Sequence, residues 1–193
     1  MTSSPKAPQE YADRSYRSPA GIGTGVLLLG LVAWLGGDAI ARGEGRTPWL
    51  ALAGMLCVVP LIIAFTLRPG VWAGADRLLV RNPFRTITLP WGAVDAVRAG
   101  YSSEVLAGGR TYQLWSIPVS LRQRKRAVRR GEREGDGEAG RATADAAVSA
   151  LRDLAEKNAE RATAQGEVNV RWAYEMIVPS FVGLVLLVVL AAR

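Results

Sequence analysis

The sequence predicts an α+β membrane protein: three transmembrane helices with a small antiparallel β domain, an open barrel or curved sheet, capped by one amphipathic helix. Three observations lead there. Hydrophobic residues make up 49% of the 193 and gather in three blocks rather than spreading evenly. Between the second and third blocks, Ile87 and Leu89 alternate with Thr86 and Thr88, the period-two spacing of a strand with one wet face. Further on, apolar residues return to three- and four-residue spacing, the mark of a helix with one buried stripe.

Taken in order, residues 1–19 are polar, charged and rich in Ser and Pro, and read as a disordered tail. Residues 20–67 read as a helical hairpin. Its first block, Ala20 to Ala41, has the ~20 residues needed to cross a bilayer core. A signal peptide fits less well, because a second apolar block follows almost at once instead of a polar mature chain. Asp38 falls near the far end of that block, where a carboxylate can reach the headgroups. Arg42 to Pro48 is a tight polar connection. Trp49 to Leu67 is the second span, with Trp49 as an interfacial anchor and Pro60 as a tolerated kink. Glycines 21, 25, 30, 36 and 37 are candidates for close helix approach.

Residues 68–165 form the predicted domain. Strand-like runs flank an Asn82-Pro83 turn, in which Pro presets the turn dihedral. Further runs cover Val94 to Arg98, Ser103 to Ala107 and Arg110 to Val119, with Gly108-Gly109 as a hairpin turn. A basic, Gly-rich loop at 122–141 follows. The helix Ala142 to Ala164, with Thr143 as its cap and Gly166 as its stop, carries the stripe Ala147, Val148, Leu151, Leu154, Ala155, Asn158, Ala159 and Ala162. It packs on the sheet better than on a membrane, since the stripe is Ala-rich and lacks large aromatics. Residues 166–193 are read as the third span, with Trp172 and Tyr174 at its interface.

The run Arg81-Asn82-Pro83-Phe84-Arg85-Thr86-Ile87-Thr88-Leu89-Pro90-Trp91, followed by Ala93-Val94-Asp95-Ala96-Val97, resembles the bacterial PH-like domain of the low-molecular-weight protein antigen 6 group. The resemblance covers residues 68–119. It implies a small curved sheet closed at one end by a carboxy-terminal helix, a role that 142–164 suits. It brings no catalytic residues with it. The Arg/Gly/Glu loop and the third span depart from the compact pattern of that group.

Composition narrows the function. The chain has 24 basic residues, a net charge of +7 and no histidine. It therefore lacks the commonest general base and the commonest transition-metal ligand. Its one cysteine, Cys57, lies inside an apolar block and cannot form an internal disulfide. No nucleophile elbow, phosphate loop or paired metal motif is present. Asp76, Asp95 and Glu104 read as solvated carboxylates, and Trp72, Trp91 and Trp115 as packing residues. No catalytic residue, cofactor or metal site is expected, and the protein is read as not an enzyme.

The candidate binding residues are Arg122, Arg124, Lys125, Arg126, Arg129 and Arg130. Such a run suits an anionic lipid surface or serves only as a solvated topology signal. Nucleic acid is disfavoured, since no aromatic residue interleaves with these arginines. Arginines and lysine before the first span and after the second outnumber Arg42 and Arg46 between them, which places the domain in the cytoplasm of a multi-pass cell-membrane protein. The expected function is protein–protein or self-association through the domain. The alternative is anionic-lipid binding by the basic loop, ahead of a transporter or enzyme component.

Overall fold

The computed structural model describes residues 14–99, 102–117 and 136–192. The chain divides into two compact units. A helical unit takes in Ser18–Pro69, Arg81–Thr86 and Arg171–Arg193, and the remaining described residues form a β-rich unit.

In chain order the strands are β1 (Arg14–Tyr16), β2 (Gly70–Ala73), β3 (Arg77–Arg81), β4 (Arg85–Pro90), β5 (Val94–Ala99), β6 (Ser103–Ala107), β7 (Arg110–Gln113) and β8 (Asn169–Trp172). The helices are α1 (Pro19–Arg42), α2 (Thr47–Ile62), α3 (Asp136–Asn158) and α4 (Tyr174–Ala191). The strands make a five-stranded sheet of order β1-β2-β3-β4-β8 and a three-stranded sheet of order β5-β6-β7.

The alternation read from the sequence becomes burial. Leu78 and Val80 on β3, and Ile87 and Leu89 on β4, are buried, while Arg81 and Arg85 are exposed. Val97, Val105 and Ala107 close the same core from the smaller sheet. The hairpin between β6 and β7 turns at Gly108 and Gly109, with φ of +56° and +71°. Both dihedrals lie where a Cβ is penalised, the requirement of the tight hairpin turn that matches strand twist. β5 pairs antiparallel with β6 through a register shift between Val94 and Ala96.

Trp91 is fully buried. It follows Pro90 at the start of a 3₁₀ turn, Trp91–Ala93, and its indole Nε1 donates to the Gly74 carbonyl at 2.9 Å. The indole thus supplies apolar volume while satisfying a buried backbone acceptor between β2 and β3.

On α3, Ala147, Val148 and Leu151 are buried, as the stripe predicts. Burying a Val or Leu side chain contributes about 1.5–3 kcal/mol. Arg152 Nε donates to the Val97 carbonyl at 2.7 Å, tying the helix to β5. The helix runs Asp136–Asn158: it begins inside the stretch expected as loop to 141, so that Thr143 lies within it rather than capping it, and it ends before the expected Ala164, leaving Ala159 and Ala162 off it. There the Asn158 amide donates back to the Leu154 carbonyl. The chain beyond is held by Asp76, which accepts from Thr163 Oγ1 at 2.7 Å and pairs with Arg161 Nε at 3.4 Å. A 3₁₀ turn at Ala162–Ala164 replaces the last helical turn.

Three further expectations change. The tail expected to be disordered over 1–19 carries β1, which pairs antiparallel with β2 from Arg14↔Ala73 to Tyr16↔Val71. The strand expected over 110–119 stops at Gln113, and Leu114 to Ile117 forms a turn closed by Ile117 N–H to the Leu114 carbonyl at 3.2 Å. The segment from 166 is not all span, because β8 precedes α4. Backbone pairing with a distant strand fixes β1 and β8, and neither carries an apolar alternation of its own.

In the helical unit, Ser18 caps α1 by accepting from Gly21 N–H at 3.1 Å, and Pro19 occupies the first turn, where its missing N–H costs nothing. Pro60 removes a helical donor inside α2, and the helix continues as a π-helical turn over Ile63–Leu67. That turn is closed by Arg68 N–H to the Ile63 carbonyl at 2.9 Å. α2 packs against both α1 and α4. Of the glycines expected at helix contacts, Gly25 faces Thr66 and Gly36 faces Met55, whereas Gly30 and Gly37 face open space. A close approach to another helix's backbone was not among them: a Cβ on Gly183 would overlap the Cys57 backbone N and the Ala53 carbonyl. Leu27, Trp34, Leu35, Phe181 and Val188 are exposed. Three helical segments, of 24, 21 and 18 residues, are long and apolar enough to cross a membrane.

Candidate functional site

The expected binding run, Arg122, Arg124, Lys125, Arg126, Arg129 and Arg130, lies outside the described residues. The structure instead gathers arginines and aromatic residues within the helical unit, around the end of α2, the β3–β4 tip and the start of α4.

Arg68 organises this cluster from the end of the π turn. Its side chain is 14% exposed, and its guanidinium donates to Glu175 Oε1 at 2.9 Å, Thr86 Oγ1 at 3.0 Å and the Asn82 carbonyl at 3.3 Å. The planar fork thereby reaches three chain segments at once, which a lysine ammonium on its single stem does less well. Two further contacts fasten the same segments. Ala173 N–H donates to the Phe84 carbonyl at 2.9 Å. The rings of Phe65 and Phe84 meet edge to face with centroids 5.3 Å apart.

Arg85 is held differently. Its guanidinium carbon lies 4.2 Å from the centroid of the Trp172 ring, a cation–π contact. Trp172 is 42% exposed and Tyr174 63% exposed. Arg171, next to Trp172, is exposed as well. Neither Arg85 nor Arg171 belongs to an ion pair among the described residues. The cluster thus contains one arginine that ties chain segments together, Arg68, and one that contacts an indole, Arg85, while the charge of Arg171 is directed at the Glu175 carboxylate.

The sequence carried a signal for this place: an Arg-Trp pair, Arg171-Trp172, immediately before an apolar block. It did not reveal that Arg85, far earlier in the chain, lies over the same indole.

The carboxylates considered for chemistry are not brought together. Asp76 is engaged with Arg161 and Thr163, and Glu104 accepts from Ser102 Oγ at 2.5 Å. Asp95 is exposed on β5. Among the described residues no group of three or more Cys, Asp or Glu is arranged to hold a metal ion. The Ser103 and Ser116 hydroxyls are buried without a hydrogen-bond partner among the described residues. In a chain without histidine, neither has the commonest base that would make it a nucleophile. Of the three domain tryptophans, Trp91 is core, Trp72 lies beneath Arg17 at 6.0 Å, and Trp115 is 49% exposed.

Residues 68–154 match the family model of the bacterial PH domain. No curated protein and no solved structure matches the chain.

Proposed function

Because this chain carries a bacterial PH-like domain over residues 68–154, we propose that it is a non-catalytic integral protein of the cell membrane that presents the domain for protein–protein or self-association. The observation that carries this reading is the position of the matched segment: it is bracketed by helices of membrane-crossing length, α1 and α2 before it and α4 after it. The domain's interior is filled by its own side chains, among them Trp91, Leu78, Leu89 and Leu151, which favours a role for its surface. The likeness at 81–97 to the antigen 6 group supports the same assignment at a finer level.

The charge distribution supports a cytoplasmic domain. Arg14, Arg17, Arg68, Arg81, Arg85 and Arg171 flank the apolar helices on the domain's side of the chain, against Arg42 and Arg46 in the α1–α2 connection. Binding of anionic lipid is the second reading. The exposed Arg85 against Trp172 favours it, in addition to the basic run at 122–130.

The test uses the full chain in its native membrane. Crosslinking followed by native mass spectrometry in detergent is expected to give a homo-oligomer or a co-purifying protein; a bare monomer under every condition would refute the association reading. In a Cys57→Ser background, Thr111→Cys on the exposed face of β7 should resist a membrane-impermeant maleimide in intact cells. Labelling there would place the domain outside.

A further inference from the structure

We infer that the tip of the β3–β4 hairpin, Asn82 to Arg85, is seated in the interfacial layer of a bilayer, in contact with the lipid of the leaflet at the Leu67 end of α2. The inference rests on the reading that α2 and α4 cross that bilayer. The tip and the ends of both helices belong to the same helical unit.

The first ground is depth. Phe65 lies in the π turn that ends the second apolar segment at Leu67, and its side chain is exposed. The Phe84 ring meets the Phe65 ring edge to face, with centroids 5.3 Å apart. Ala173, the residue before α4 begins, donates its N–H to the Phe84 carbonyl at 2.9 Å. Side chain and backbone of Phe84 are thus both fixed where apolar helix gives way to polar chain. In a bilayer that is the boundary between acyl chains and headgroups.

The second ground is the backbone of the tip. Non-helical chain at membrane depth is tolerated only where its polar groups find partners inside the protein. Asn82 N–H donates to the Arg85 carbonyl at 2.8 Å. The Asn82 carbonyl accepts from Arg68 Nε at 3.3 Å, and the Phe84 carbonyl accepts from Ala173. Pro83, between them, has no N–H to satisfy. A turn standing in water would leave such carbonyls to the solvent. Here both are capped by donors from the ends of the two helices.

The third ground is what surrounds the tip. Trp172 and Tyr174 are exposed, and amphipathic rings of this kind gather at the headgroup level. Arg81 and Arg85 are exposed on either side of the Pro83-Phe84 pair. Their long stems can lie along apolar surface while the charge stays in the water layer. An apolar tip rimmed by arginines and aromatic residues fits the ester and headgroup region of a leaflet, and the two arginines keep it out of the acyl core.

The test uses the full chain in a Cys57→Ser background, in lipid nanodiscs, with a bimane label on one introduced cysteine at a time. A label at Arg81→Cys should be quenched by lipid brominated near the ester end of its acyl chains and shielded from aqueous iodide. Arg85→Cys, across the tip, should give the same pattern and serves if the first variant does not fold. Thr111→Cys, exposed on β7, provides the iodide reference. Phe181→Cys, exposed on α4, should answer to brominated lipid and not to iodide. If the labels at 81 and 85 answer to iodide and not to brominated lipid, while that at 181 answers to lipid, the seating of the tip is overturned. Shielding of 81 and 85 from both quenchers overturns it too, since protein and not lipid would then cover the tip. Iodide quenching at 181 would instead refute the spanning premise.

Discussion

Replacing Trp91 by phenylalanine isolates the role of one buried N–H. The phenyl ring keeps much of the apolar volume and removes the donor to the Gly74 carbonyl, a bond of 2.9 Å from a fully buried indole. Gly74 is itself buried, so its carbonyl would lose this partner where water is scarce. Leaving a buried acceptor unsatisfied costs about 1–3 kcal/mol. The missing part of the indole leaves a void of a few tens of Å³, adding about 1 kcal/mol. Together the loss is about 2–4 kcal/mol, within the 5–15 kcal/mol that holds a typical domain, so the variant should still fold. The assay is hydrogen exchange by mass spectrometry on the full chain in detergent. Peptides covering β3, β6 and α3 should lose about 1.5 to 3 decades of protection, while peptides of α2 and α4 should not change. A loss below threefold in the domain peptides would refute the view that the core is organised about Trp91. An equal loss in the helices would show that the effect is not confined to the domain.

Two further predictions follow from packing. Gly183→Val places side-chain carbons against the Cys57 backbone and the Ala53 carbonyl; overpacking of this kind costs about 1–3 kcal/mol and should lower the thermal midpoint of the detergent-solubilised protein, whereas Gly37→Val, in open space, should leave it in place. Leu151→Ala empties the centre of the contact between α3 and the sheets, at about 2–5 kcal/mol, and should raise exchange across 146–158 first.

Much of the domain was legible because its signals are local. Gly108-Gly109 dictates a turn through two positive φ values, Ile87 and Leu89 dictate a buried face through alternation, and Leu151 and its neighbours mark the inner stripe of α3. What escaped is non-local. β1 is three residues, Arg14-Ser15-Tyr16, and becomes a strand only because Val71 to Ala73 offers a partner more than fifty positions away. β8 carries exposed side chains throughout and shows no alternation to read. The arginine–aromatic cluster was hidden for the same reason. Arg68, Arg85 and Trp172 are scattered through the chain, and a basic run within nine consecutive residues is far easier to notice than a cation stacked on an indole from another strand.

The order β1-β2-β3-β4-β8 also has a consequence for biosynthesis. β1 is translated before α1 and α2, and β8 only after the domain helix. The larger sheet therefore cannot be completed until the ribosome has delivered residue 172, when two apolar helices have already emerged and the last is about to. Until then, β4 waits with an open edge. A fragment trimmed to the matched residues 68–154 would be left permanently in that half-built condition, with β2 and β4 bare, and bare edges recruit neighbouring chains. Because β1 lies ahead of α1 and α2, a contiguous stretch holding both margins also holds two apolar helices; a soluble piece should instead join residues 14–17 through a linker to 68–172, so that β1 and β8 travel with the domain and the helices do not.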